Sequence, residues 1–241
     1  MKQFLAASWL MLIILGLVAP VSEFGRTLLY ELLASCGYSI GVGAIAAMAI
    51  AVPALLIGGI SIGWPSWILH RPISIAADIV DSVPAILWVL AVVVLADEFR
   101  RSSTIVAFSI ISMPGAVRVV MGECRRQVQA TYFLAGRAIG ASAFRLLIHY
   151  ILRNGTGVFV PYFLQTFGAA VAIDGAIGIL GAGNRTDLNL GMMLLRGKEQ
   201  ILTAPWLFVG ALLSYLCIFA TLYEVRRRWL HSIESNRGLY S

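Results

Sequence analysis

IGVGAIAAMAIAVPALLIGGISI, running from Ile40 to Ile62, is a stretch of 23 residues without a single charge. About 20 apolar residues of α-helix cross the ~30 Å hydrocarbon core of a bilayer. A helix satisfies its own backbone there, so this stretch reads as a membrane span. Working outward, the same test picks out Phe4–Val21, Ile75–Ala96, Thr104–Met121, Gly157–Gly183 and Pro205–Tyr223. The whole chain agrees: of 241 residues 59% are hydrophobic and 12% charged, with a mean hydropathy of +0.86. A soluble domain carries about 25% charge. Half that charge cannot coat a globule, and the sequence predicts an all-α integral membrane protein with six transmembrane helices.

The first apolar run resembles a signal peptide, with Lys2 ahead of it. It is long enough to span and no small-x-small cleavage site closes it, so it is expected as a retained first helix. Net charge is +6, and the basic residues gather between Arg118 and Arg153 and again at Arg226–Arg228. With the N-terminus inside, 12 Lys and Arg fall in inner segments and 6 in outer ones. The positive-inside rule then places both termini in the cytoplasm. Nothing interleaves aromatic with basic residues as nucleic-acid surfaces do. Cys36, Cys124 and Cys217 form neither a metal spacing nor a disulfide framework, and read as small hydrophobes.

The connector Gly122–Thr156 is the most informative. From Thr131 it is helical in period, with Phe144, Ile148 and Leu152 on one face and Leu147 and Ile151 beside them. Gly140 divides Thr131–Ile139 from Ser142–Leu152. Glycine reaches φ > 0 cheaply, so a sharp turn between two helices is expected there. Such a cytoplasmic hairpin suits either a partner's groove or the lipid surface. The polar stretch Asn184–Thr203 reads as an outer connector, with Arg185, Asp187, Arg196, Lys198 and Glu199 available to a docking protein or simply to solvent.

Acids inside spans are costly and usually functional. Asp78 and Asp81 share a helical face at the start of the third span, where Arg71 or an arginine of the loop is their expected partner. Pro84 is expected to start a helix or kink it. Asp174 lies deep in the fifth run and has two readings: it lines a translocation path, or it pairs with another subunit. Two patterns are decoys. Gly59-Ile60-Ser61-Ile62-Gly63 matches a nucleophile elbow but ends a span with no histidine in reach, and Gly41-Val42-Gly43 lacks a βαβ unit. No phosphate-binding G-x-x-x-x-G-K-[ST] occurs, so any ATP must be handled by another chain.

Leu134-Ala135-Gly136-Arg137-Ala138-Ile139-Gly140-Ala141-Ser142, followed by His149-Tyr150-Ile151-Leu152-Arg153-Asn154, resembles the E-A-A-x-x-x-G loop of ABC importer permeases. It is most similar to the second-permease type of the dipeptide, oligopeptide and nickel branch. Further landmarks follow in order: Gly25-Arg26, Asp78, Asp81-Ser82-Val83-Pro84, Val117-Arg118, Asp174, Leu180-Gly181-Ala182-Gly183, Gly191-Met192-Met193 and Ala204-Pro205-Trp206-Leu207. Leu134 replaces the motif's glutamate, Gly136 its second alanine and Arg153 a proline, and the usual acidic C-terminal ending is absent.

The resemblance implies a type I importer permease of the bacterial inner membrane. Residues 1–24 would form the first helix, 25–225 the core with its coupling loop, and 226–241 a basic cytoplasmic tail. It implies a homologous second permease, two cytoplasmic ATPases that hold ATP and Mg, and an extracytoplasmic binding protein. This chain would carry no catalytic residue, cofactor or metal. Leu134, Ala135, Gly136, Arg137, Gly140, Ala141 and Ser142 would couple to the ATPases, and Asp78, Asp81 and Asp174 would face the path or the partner subunit. Short peptides, nickel or metal chelates and opine-like solutes are the substrates implied. A secondary transporter or scaffold without an ATPase is the alternative, although the halves show no repeat.

Overall fold

A computed structural model describes residues 23–60, 66–95, 101–142, 145–181 and 189–237. The predicted first span, Phe4–Val21, lies outside them. The described residues are helical throughout their ordered elements: α1 (Glu23–Ile60), α2 (Ser66–Asp81), α3 (Ala85–Leu95), α4 (Arg101–Val128), α5 (Thr131–Ala138), a π-helical segment Leu146–Leu152 that runs into α6 (Arg153–Ile179), α7 (Leu190–Glu199) and α8 (Pro205–Arg237). Four of these are long and apolar enough to cross a membrane, or five if the bent pair α2 and α3 counts as one span.

The opening stretch sits in α1, which begins well before Ile40, so that Gly25 and Arg26 fall inside the helix. Its buried positions, Ser35, Ser39, Val42, Gly43, Ala46, Ile50, Ala54 and Gly58, recur every three or four residues, while Ile45, Met48, Val52 and Leu56 face outward. In water that outward stripe would be a liability. In lipid it is the natural surface, and the inner stripe is small because tight packing, not hydrophobicity, joins helices there. A Cβ on Gly43 would stand 2.7 Å from Val171 of α6, and one on Gly58 would land on Val120 of α4. Ala46, Ile50 and Ala54 thus share one buried cluster with Val117, Val120 and Met121 of α4. Cys124 and Cys217 are buried, as small apolar residues would be.

The third predicted span, Ile75–Ala96, is not one helix. It breaks at Ser82–Pro84, and the two arms meet at 88°. Proline removes an N–H and biases the preceding residue toward extended backbone, which ends α2 and starts α3 at Ala85. The corner keeps its polar groups bonded: the Ser82 hydroxyl donates to the Ile79 carbonyl (2.6 Å) and the Trp88 indole to the Val80 carbonyl (3.2 Å).

The predicted polar connector Asn184–Thr203 is also corrected. Its second half is α7, with Leu190, Gly191, Met192, Met193, Leu194 and Gly197 buried. The Asn189 side chain caps it by accepting from the Met192 N–H at 2.6 Å. Gly191 and Gly197 have no side chain to hold the helix away. A Cβ on Gly191 would strike the Gly175 carbonyl of α6, and one on Gly197 would meet the Phe208 backbone of α8 at 2.5 Å. The charged face that remains includes Arg196, whose guanidinium is 4.0 Å from Glu31 of α1. Arg185 and Asp187 lie outside the described residues.

A helical hairpin and an ion cluster

The hairpin stands where the sequence places it, with different walls. Its leading helix is α5, and its turn is a Schellman motif. Gly140 has φ +79°, its N–H donates to the Arg137 carbonyl (3.1 Å), and the Ala141 N–H donates to the Gly136 carbonyl (3.2 Å). The Ser142 hydroxyl then accepts from the Arg145 N–H at 3.4 Å, and its carbonyl accepts from the Leu146 N–H at 2.9 Å. The second arm is not a separate helix, since it flows through Leu146–Leu152 into α6.

The apolar stripe proposed for docking is turned partly inward. Leu146 and Ile151 are buried, Leu147 fills the space left by Gly59, and Phe144 lies outside the described residues. Of the predicted stripe Ile148 stays outward, 38% exposed, and it is joined by Leu134, 53% exposed, and Ile139, 81% exposed, beside exposed Ala135 and Arg137. Gly136 explains itself: a Cβ there would stand 2.9 Å from the Tyr150 ring and 3.2 Å from Leu146. The glycine that departs from the motif makes room for Tyr150, whose ring stacks on Tyr132 with centroids 6.3 Å apart.

The residues that mount the hairpin were not legible as such. Glu123, buried in the last turns of α4, accepts from Arg126 Nε (2.8 Å) and Nη2 (2.5 Å) and from Gln127 Nε2 (2.7 Å). The Tyr132 hydroxyl donates to Gln127 Oε1 at 3.4 Å, which ties α5 to α4. Gly155, at the start of α6, leaves only 3.0 Å between its missing Cβ and the Gln127 amide nitrogen. From the third side, the Trp229 indole of α8 donates to the Thr156 carbonyl at 3.3 Å. An acid followed by arginine at i+3 and glutamine at i+4 within an apolar helix was the available signal.

Asp78 and Asp81 are brought together by Arg118 of α4, not by Arg71 or a hairpin arginine. One guanidinium reaches Asp78 Oδ1 through Nη1 and Asp81 Oδ2 through Nη2, each at 2.5 Å. Such a planar fork matches two carboxylates better than an ammonium does. Asp174 is elsewhere, 5% exposed beside the Tyr215 phenol of α8. Its neighbour Gly175 has no room for a Cβ, which would overlap the Tyr215 hydroxyl, and Gly178 is closed off by Asn189 at 2.7 Å. Among the described residues no His, Cys, Asp or Glu gather into a group able to hold a metal ion. Ser61 of the decoy motif lies outside them.

With this geometry in hand, comparison with known proteins is specific. A family model described as binding-protein-dependent transport system inner membrane component matches residues 54–226. The glutathione transport system permease protein GsiD of Pectobacterium atrosepticum is 26% identical over 206 residues, 84% of this chain and 66% of the relative. The dipeptide transport system permease protein DppC of Alkalihalophilus pseudofirmus is 27% identical over 191 residues, 78% and 62%. The di/tripeptide transport system permease protein DppC of Pseudomonas aeruginosa is 26% identical over 204 residues, 81% and 66%. The chain thus spans slightly less than two thirds of these relatives' length.

Proposed function

The chain belongs to the binding-protein-dependent transport system inner membrane components, and from that premise we propose that it is a permease subunit of an ATP-driven importer. It would pair with a homologous permease, receive two cytoplasmic ATPases at its hairpin, and accept solute from an extracytoplasmic binding protein. The names of the relatives favour a short peptide or a glutathione-like solute over nickel chelates and opines. ATP and Mg would sit on the ATPases, and this chain would do no chemistry.

The observation that carries the proposal is how the hairpin is mounted. Leu134, Arg137 and Ile139 point outward, while Tyr132 ties the first arm to Gln127 of α4, the second arm runs on into α6, and Trp229 ties the foot of α6 to α8. A load applied to the exposed side reaches three helices at once. ATP-driven closure of two ATPases would bias such a bistable element, and alternating access follows when the helices tilt together. The excess of Lys and Arg on the same side, 12 against 6, supports a cytoplasmic hairpin with both termini inside.

The test is assembly and energetics. Co-expressed with candidate ATPases, a second permease and a binding protein, the chain is expected to co-purify with both ATPases. Ile139→Cys is expected to cross-link to an ATPase cysteine. Uptake in proteoliposomes that runs equally well without ATP, or a stable complex lacking ATPases, would assign a secondary transporter instead.

A further inference from the structure

Helix α8 leaves its apolar run with an uncompensated positive charge. Pro205–Tyr223 holds no charged residue, and its 19 residues rise about 28 Å, close to the ~30 Å hydrocarbon core of a bilayer. Glu224, Arg226, Arg227 and Arg228 follow directly, and hydrocarbon does not accommodate such a group. Residues 224–228 therefore stand at headgroup level. Among the described residues Arg228 takes the Glu224 carboxylate at 3.1 Å, and no carboxylate pairs with Arg226.

Arg226 stands at the mouth of a groove. Helices α6 and α8 run antiparallel: the Trp229 indole bonds the Thr156 carbonyl at one end, and a Cβ on Gly168 would stand 3.4 Å from Leu222 and 3.6 Å from Phe219 further along. Between the two helices opens a cavity of about 340 Å³, lined by Gly168, Ala169 and Ala172 of α6 and by Phe219, Leu222 and Arg226 of α8. The three α8 residues recur at i, i+3 and i+7, so they share one face. From Leu164 to Ala172 the lining rises about 12 Å along α6, close to half the ~30 Å core, the depth of one leaflet's hydrocarbon. Gln165 and the exposed Tyr223 line the arginine end, and an aromatic at that level is what interfacial belts provide. The cavity is thus apolar along its length, and polar and cationic where α8 leaves the bilayer.

We propose that this groove seats an anionic phospholipid, with its phosphate on Arg226 and one acyl chain along Gly168, Ala169 and Ala172. A phosphate accepts the paired N–H bonds of a guanidinium in a matching planar geometry. Basic pockets between transmembrane helices bind anionic headgroups in this way. A lipid tail is as apolar as leucine and gains little by leaving the bilayer, so the groove sets the fit and Arg226 sets the choice of lipid. The chain's own apolar run Phe4–Val21 holds no acid to offer Arg226. Such a site needs only a bilayer, so it does not depend on the importer reading.

The test labels the groove directly. The full chain, with the subunits that co-purify with it, is placed in vesicles of equal phosphatidylglycerol and phosphatidylcholine. A trace of either lipid with a diazirine in its acyl chain is cross-linked by light, and tandem mass spectrometry of the digest locates the label. One arginine at headgroup level favours an anionic lipid about fivefold, so residues 164–172 and 219–226 are expected to take that much more label from phosphatidylglycerol. Outward residues of α1 such as Met48 and Val52 should take both lipids about equally. Arg226→Gln should bring the groove ratio close to one, and Arg226→Lys should keep most of the preference.

A groove that neither lipid labels would overturn the proposal by showing that a partner subunit or another segment of the chain covers it. So would equal labelling by the two lipids in the native protein, or a preference that survives Arg226→Gln. The native ratio and the α1 control need no variant, so a misfolded Arg226→Gln protein does not blunt the test.

Discussion

Replacing Glu123 by leucine should loosen the hairpin without touching its exposed surface. The carboxylate accepts three hydrogen bonds, two from Arg126 and one from Gln127. Arg126 is 63% exposed, so its loss is offset by water and is worth under ~1 kcal/mol. Gln127 is 1% exposed, and stranding its buried amide costs about 1–3 kcal/mol. The sum, roughly 1–4 kcal/mol, corresponds to an approximately 5- to 700-fold shift toward the unseated hairpin, at about 1.4 kcal/mol per decade. Hydrogen exchange of amides 131–152 reads that shift directly, and the ratio of solute imported to ATP hydrolysed reads its consequence. Glu123→Gln keeps an acceptor for Gln127 and should cost about 1 kcal/mol or less. Unchanged exchange in Glu123→Leu, or a glutamine variant as damaged as the leucine one, would refute the mounting described above.

Gly140→Val should uncouple ATP hydrolysis from uptake by straining the turn about 1–3 kcal/mol, while Gly140→Asn, which tolerates φ +79°, should retain most coupling. Membrane insertion, followed by protease protection, should be equal in both. Gly136→Val should disturb the arm through Tyr150, and Tyr150→Ala should partly restore it, measured by hydrogen exchange in the double-mutant cycle. Gly191→Ala forces a methyl onto the Gly175 carbonyl and should lower the melting temperature of the purified complex by several degrees. Gly37→Ala, with nothing within 4 Å, should leave it within a degree or so.

Much of the fold could be read from apolar length, because a bilayer imposes one number on every span. The helix around Ile40–Ile62, the turn at Gly140 and the break at Pro84 each had a local cause in the residues themselves. Helix α7 did not. Its Lys198, Glu199 and Arg196 marked it as a polar connector, and only the glycine contacts with Gly175 and Phe208 reveal why it is buried. For the same reason Arg118 could not be chosen as partner of Asp78 and Asp81. Thirty-seven residues separate it from Asp81 in the chain, and an 88° bend brings them together. The inward turn of Ile151 was equally hidden, because a helical stripe shows which residues share a face and not what covers it.

The last helix has a consequence for how the protein meets different membranes. Its 33 residues make a continuous rod about 50 Å long, against a hydrocarbon core of ~30 Å. The excess holds Trp229, which is tied to the foot of α6. A thinner or thicker bilayer is therefore met by changing the rod's inclination, at fractions of a kcal/mol per Å, before that tie is strained. Changing acyl-chain length should accordingly shift the tilt of α8 well before it alters the rate of import.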